Sequence, residues 1–308
     1  MNFFLLIPRG SAQRIVYSSE MRSGTTFLGN FLNTQKDLFV YSDMLVSLVR
    51  EFEKLNISSI EKKLSDREKN ILFSNVIAEG RRNDVLLEEL PRSEVASWYQ
   101  LFDLALNEMS KLKECKLVGV KITRADKMFN GLLKNGYKII YCVRDPRDVI
   151  LSAKNRFSHF AYGKFIKRWN QYIHRAFTLR SNPNFYLLKY ENLILNPEKE
   201  CEKLSDFLEL NVNQNIQGDL VHGLDSDYIN NSSFGDVKKV FDPIAVFRWK
   251  DNQDAEDNIR VELYLKDEIK KLNYQATNNR VGLIKRGKFW VQSSSLIYYA
   301  KIALQIIR

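Results

Sequence analysis

The sequence predicts an α/β fold, a parallel sheet flanked by helices on both faces, from three observations. Short apolar runs of strand length recur along the chain, bounded by turn formers. Longer segments between them carry apolar residues at helical spacing. The two kinds alternate, and strands alternating with helices pack as a parallel sheet covered on both sides. Ligands of such sheets gather outside the carboxyl ends of the strands, so the loops that follow strands are where chemistry is expected.

Residues 13–18 (QRIVYS) read as the first strand, 19–24 as a loop and 25–33 as a helix. Residues 43–112 are charged and helical in pattern, with Ile71, Leu72, Val76 and Ile77 at helical spacing. Residues 117–122 (LVGVKI) and 137–143 (YKIIYCV) are the second and third strand candidates. Asp145-Pro146 then opens a helix to about Arg156, since Asp caps and Pro suits the first helical position. A further helix carries Phe165, Trp169, Tyr172, Ile173 and Phe177. Residues 184–189 (NFYLLK) are the fourth strand, and Asn196-Pro197 caps a helix through Leu208. Residues 211–245, rich in Asn, Asp, Ser and Gly, read as a long functional loop, and 255–272 as a last helix. The tryptophans Trp98, Trp169 and Trp249 read as packing residues.

Composition narrows the classes. With 308 residues, 44% hydrophobic and 27% charged, the chain is globular rather than disordered. A net charge of +10 favours an anionic partner, either a nucleic acid, a membrane surface or a polyanionic small molecule. No basic stripe interleaved with aromatics is present, so nucleic acid is not expected. Cys115, Cys142 and Cys201 are odd in number and lack ligand spacing, and read as reduced, intracellular thiols. His159, His174 and His222 stand far apart, so no metal site is expected. The apolar run 3–7 is shorter than a signal core and no 18-residue apolar stretch occurs. The expectation is a cytoplasmic protein with neither leader nor membrane span.

The loop after the first strand holds Arg22, Ser23, Gly24, Thr25 and Thr26. Gly24 lets backbone approach a ligand, and a helix N-terminus offers unpaired N–H groups to a phosphate. Arg22 adds charge, and the hydroxyls add donors. A Walker A loop requires Lys where Thr25 stands, and Ser19 fills its first Gly position, so the loop is P-loop-like without the side chain for a triphosphate. The competing reading is an ordinary polar turn. After the third strand, Arg144 precedes a helix on which Ser152 and Arg156 share a face. These three form a candidate second phosphate site, the alternative being local pairing of Arg144 with Asp145 or Asp148.

Together these segments resemble the 3′-phosphoadenosine 5′-phosphosulfate (PAPS)-dependent sulfotransferases. Arg22-Ser23-Gly24-Thr25-Thr26 resembles that family's 5′-phosphosulfate loop. Val143-Arg144-Asp145-Pro146-Arg147-Asp148, with Ser152 and Arg156 beyond, resembles its 3′-phosphate motif. Lys189-Tyr190-Glu191-Asn192-Leu193 resembles the segment whose Tyr contacts adenine. Arg248-Trp249-Lys250, with Ser233 fifteen residues before Arg248, resembles the segment that closes over the cofactor. The resemblance covers roughly residues 13–275 and is closest in spacing to tyrosylprotein sulfotransferases and their bacterial relatives. It implies a 1–275 catalytic domain in which 43–112 is a helical acceptor-side insertion. Lys121-Ile122-Thr123-Arg124 keeps a Lys of the second-strand region but lacks the histidine base of the cytosolic small-molecule enzymes. Asp43 stands where the tyrosylprotein branch carries its carboxylate base, one methylene shorter than that Glu. Met44-Leu45 lack that branch's substrate-binding Arg, so no acceptor carries over.

The expected chemistry is sulfuryl transfer from PAPS to an acceptor hydroxyl, a glycan or lipid-linked sugar first and peptide tyrosine second. Asp43 would be the base, with Lys121 and Arg22 steadying charge on the leaving phosphate. Asp43 reads alternatively as a helix cap, Lys121 as a solvated strand-end residue and Tyr190 as core. A nucleotide kinase and a non-catalytic polyanion-binding module are the competing functions. Residues 276–308 form a basic tail in which Lys301, Gln305 and Arg308 fall on one helical stripe. Its apolar face is open to three fates, packing on its own domain, peripheral membrane contact or an oligomer interface through 283–308.

Overall fold

Five strands lie side by side in the order β2-β3-β1-β4-β5, every neighbouring pair parallel, in a computed structural model that describes residues 13–113, 115–157, 161–214, 241–251 and 255–277. Ser233, most of the 211–245 loop and residues 278–308 lie outside the described residues. The strands are β1 (Gln13–Ser19), β2 (Leu38–Ser42), β3 (Leu117–Lys121), β4 (Lys138–Val143) and β5 (Phe185–Lys189). Strands β3 and β4 are buried along their whole length, as strands covered on both faces must be.

Four of the five strands match the runs read from the sequence. The fifth, β2, is an edge strand in a stretch with no assignment above; Leu38 and Val40 are buried while Phe39 and Tyr41 are half-buried. Its period-two pattern covers five residues, too short to stand out between a helix and a charged segment.

The chain divides into two compact units, residues 1–144 with 175–246, and residues 145–174 with 247–308. The first unit holds the sheet. There α1 (Thr25–Asn33) follows β1, and α2 (Val46–Lys54), α3 (Asp66–Arg82) and α4 (Trp98–Lys111) occupy the interval read as helical. Capping boxes start two of these helices, Ser65 with Glu68 for α3 and Ser97 with Gln100 for α4. Trp98 is fully buried, stacks on Phe102 at 4.9 Å and donates its indole N–H to the Leu48 carbonyl at 2.9 Å. Burying such a side chain contributes about 1.5–3 kcal/mol, which locks α4 against α2. From α3 the buried Glu79 accepts the Ser47 N–H at 2.8 Å and so caps α2 from outside. The short α5 (Phe129–Lys134) precedes β4. After β5, α8 (Tyr190–Leu195) and α9 (Pro197–Leu208) continue the first unit. Asn196 occupies the cap of α9, but its side chain makes no capping hydrogen bond; Pro197 at the first position is what starts the helix.

The second unit contains α6 (Pro146–Arg156), α10 (Ala255–Tyr264), α11 (Lys266–Lys271) and a 3-10 turn, Arg248–Lys250. The long helix α7 (Tyr162–Leu179) contributes its residues up to His174 here and the remainder to the first unit. Asp145 caps α6 through the Arg147 N–H at 3.0 Å, with Pro146 behind it. The single helix read at 255–272 is two helices, broken at the fully buried Leu265.

Candidate functional site

Register fixes which residues share the carboxyl edge of the sheet. Lys121, the last residue of β3, is level with Tyr17 of β1 and Ser42 of β2; Ser19 is level with Cys142, and Val143 with Lys189. Asp43, the loop 20–24, Arg144 and Tyr190 therefore all follow the last paired positions of their strands, on one edge of the first unit. The chain reverses direction across the sheet between β1 and β4, the place where open α/β sheets bind ligands.

The loop is shaped by two left-handed residues, Arg22 at φ 64° and Gly24 at φ 83°. Ser23 and Thr25 are buried, while Arg22, Gly24 and Thr26 are half-buried. Helix α1 begins at Thr25 with no side-chain cap and no acidic residue in its first turn, so its N-terminal charge is not cancelled locally. A β-carbon on Gly24 would lie 2.2 Å from the Tyr190 ring, so only glycine lets the loop close over that ring.

Arg144, 7% exposed, also meets Tyr190, with its guanidinium 4.9 Å from the ring centre. Its Nη1 donates to the Arg22 carbonyl at 3.2 Å and its Nη2 to the Ala245 carbonyl at 2.7 Å. Arg22, Gly24, Tyr190 and Arg144 thus form one cluster. Tyr190 itself is 4% exposed and meets Phe27 edge-on at 6.0 Å, so its place is beneath the loop rather than on an open surface. The Cys142 thiol donates to the Ser23 carbonyl at 3.3 Å; burial, and then Glu191, push its pKa well up, so it packs the loop as a neutral thiol. Burial, with Cys142, Tyr190 and Asp43 adding to it, likewise keeps the Tyr17 phenol protonated.

Lys121 and Asp43 form the second constellation. Lys121 Nζ donates to Asp43 Oδ2 at 2.8 Å, with the lysine side chain 6% exposed and the carboxylate 62% exposed. Asp43 has φ 58° and donates its N–H to the Lys121 carbonyl at 3.2 Å. Helix α2 starts three residues later with Leu45 as its cap, so Asp43 is not the helix cap that its position suggested. Nor is Lys121 a solvated strand end.

One carboxylate in the loop was not weighed in the sequence. Glu20, 2% exposed, receives Arg124 Nε at 3.1 Å and Nη2 at 2.9 Å. A buried acid in a strand-to-helix loop requires a cation, and Arg124, three residues past β3, is the signal that could have identified the pair. It neutralises Glu20 and ties the loop to the segment after β3.

In the second unit, Ser152 on α6 is 3% exposed, Arg156 at the end of that helix is exposed, and Arg248 opening the 3-10 turn is half-buried. The acids of the Arg144 motif have partners of their own here. Asp145 takes a two-pronged contact from Arg147, Nε to Oδ1 at 2.9 Å and Nη2 to Oδ2 at 2.7 Å, with both side chains fully buried. Among the described residues no group of three or more His, Cys, Asp or Glu could hold a metal, and no helix is long and apolar enough to cross a membrane.

Residues 13–240 match the model of the sulfotransferase domain family. Sulfotransferase 2A1 of Macaca fascicularis is 32% identical over 88 residues, 23% of this chain and 31% of that protein. The human Sulfotransferase 2A1 is 31% identical over the same length. These matches span about a third of the relatives' own length. The solved sulfotransferase domain from the Synechococcus PCC 7002 olefin synthase superposes with a TM-score of 0.55 at 18% identity, covering 87% of this chain and 97% of that one. The sulfotransferase domain from the curacin biosynthetic pathway gives 0.52 at 20% identity, covering 86% and 99%.

Proposed function

The chain belongs to the sulfotransferase family, and on that premise we propose that it moves a sulfuryl group from PAPS to an acceptor hydroxyl. The observation that carries this reading is the Lys121–Asp43 pair, a cation and an open carboxylate at 2.8 Å on the sheet edge that also carries the Arg22 loop.

The residues present fit the donor. Gly24 lets the loop close over Tyr190, the α1 N-terminus and Arg22 offer donors to the 5′-phosphosulfate, and Arg144 is a candidate cation for the 3′-phosphate. Ser23, Thr25 and Thr26 line the same loop. Ser152, Arg156 and Arg248 are the second unit's candidate 3′-phosphate ligands, and Ser233 is assigned with them by resemblance alone. Tyr190 serves by supporting Gly24 and Arg144 as well as by any adenine contact. When bound, PAPS supplies the sulfuryl group and a phosphate leaving group.

The chain's own residues would divide the work. Asp43 takes the acceptor's proton on its carboxylate. Lys121 Nζ, held on the same carboxylate, and Arg22 stabilise negative charge on the leaving phosphate oxygen. Asp43 thereby links deprotonation of the acceptor to the position of the lysine.

We favour a glycan or lipid-linked sugar hydroxyl as acceptor, with peptide tyrosine second, in a cytoplasmic enzyme. A curated relative from Cavia porcellus is named 3-beta-hydroxysteroid sulfotransferase, which supports a hydroxyl as the accepting group. Incubation with labelled PAPS and a host lysate separated into lipid, glycan and protein tests the reading. Label transferred to one fraction supports it and identifies the acceptor class. Failure to bind adenosine 3′,5′-bisphosphate, or transfer of the γ-phosphate of ATP, would overturn it in favour of a polyanion-binding module or a kinase.

A further inference from the structure

We infer that Asp148 is a positioning residue that aims Arg248 at the nucleotide's 3′-phosphate, an inference that rests on the PAPS reading above. Asp148 lies on α6 and is 1% exposed. A carboxylate so deeply buried has to be satisfied by strong donors. Its two oxygens take the backbone N–H groups on either side of Arg248: Oδ2 accepts from Phe247 at 2.7 Å and Oδ1 from Trp249 at 2.9 Å. One side chain thus grips the backbone immediately before and immediately after the candidate phosphate ligand.

The rest of the turn is held as firmly. Phe247 has φ 58°, a left-handed conformation that a bulky residue keeps only where its surroundings enforce it. Asn258 Nδ2 donates to the Trp249 carbonyl at 2.9 Å. The Arg147 guanidinium lies 3.4 Å from the centre of a Trp249 ring and is anchored by Asp145 and Glu262. The 3-10 turn has no side-chain cap of its own, so the constraint comes from α6 and α10. Arg248 itself is half-buried, between a clamped phenylalanine and a clamped tryptophan. A cation presented on a fixed backbone loses less conformational freedom on binding a phosphate than one on a mobile loop. The Arg-Asp that follows Pro146 in the motif therefore acts on the far segment of the chain, which explains two charged residues that the donor site leaves unused.

The test is a double-mutant cycle read with two nucleotides, adenosine 3′,5′-bisphosphate and adenosine 5′-phosphate, titrated calorimetrically into the full-length protein. Arg248→Ala and Asp148→Asn are each expected to weaken the bisphosphate about tenfold, the scale of one lost charge-assisted contact, while leaving the monophosphate nearly unchanged. The double variant should bind the bisphosphate no worse than Arg248→Ala. Equal losses for both nucleotides, or losses that multiply in the double variant, would overturn the inference, since a general packing defect has no reason to respect the 3′-phosphate. A wild-type protein that fails to distinguish the two nucleotides defeats the PAPS reading itself, and is recognised before any variant is made. If Asp148→Asn does not fold by circular dichroism, Asn258→Ala carries the same cycle by freeing only the Trp249 carbonyl. Its expected loss is about threefold on the bisphosphate and none in the Arg248→Ala background; an independent loss there overturns the inference as well.

Discussion

The Tyr190 ring occupies the space that a β-carbon at position 24 would need. A side chain there would come within 2.2 Å of the ring, and the backbone at Gly24 is left-handed with φ 83°. Loop conformation and aromatic support are therefore one feature, reached from the loop that follows β1 and the residue that follows β5.

Gly24→Ala is expected to lower stability by about 1–3 kcal/mol from backbone strain alone, with the ring overlap added to it. Nucleotide affinity should fall with it. In a Tyr190→Ala background the overlap disappears while the strain remains, so the glycine substitution should cost less there. Thermal melts and calorimetric titration of the four proteins check this.

Asp43→Asn keeps the shape of the turn but removes the proposed base. Turnover is expected to fall on the order of 10²–10⁴-fold. Affinity for adenosine 3′,5′-bisphosphate should stay close to wild type, because Asp43 lies outside the loop proposed to hold the nucleotide. Single-turnover transfer of labelled sulfate, beside titration of the bisphosphate, separates the two effects, and unchanged turnover would remove Asp43 from the chemistry.

Arg144→Ala should weaken adenosine 3′,5′-bisphosphate by more than tenfold over adenosine 5′-phosphate, about the scale of a charge-assisted contact. Arg144 also holds the Arg22 carbonyl and lies against Tyr190, so some loss for both nucleotides is expected. The ratio of the two losses is the quantity to measure. A ratio near one reduces Arg144 to a support for the loop.

At the start of α3, the Ser65 backbone, with Lys62 and the Ser65 hydroxyl assisting, draws the Glu68 carboxyl down to about 2. Because the folded value lies below the unfolded one, this cap contributes fully above the ordinary carboxylate range and is lost as pH falls toward 2. Amide exchange in the first turn of α3 should accelerate across that interval. In Glu68→Gln the turn should exchange faster at neutral pH and show little of the acid dependence.

Four strands and the helix starts at Thr25, Pro146 and Pro197 were legible because local chemistry specifies them, through apolar runs, caps and prolines. The Arg22 loop was legible for the same reason. The partnership of Lys121 with Asp43 was not, since 78 residues separate them and only the register of β2 on β3 brings them level. Leu38 to Ser42 escaped notice because half of a short edge strand faces outward, leaving few apolar positions to form a pattern. The break at Leu265 was hidden for the opposite reason, since a buried leucine suits the helical pattern that it interrupts. Asp148 read as part of an anion motif. Its actual partners, backbone groups about a hundred residues away, carry no side-chain signature.

Among the described residues strand β2 has a neighbour on one side only, and the proposed proton acceptor follows its last residue. The loop proposed to hold the donor issues instead from the central strand, enclosed by β3 and β4. Substitutions that re-shape the outer turn are transmitted to a single partner, whereas a shift of β1 disturbs both flanks. If Asp43 and the Arg22 loop act as proposed, the acceptor side of the site rests on the margin of the sheet and the donor side on its centre.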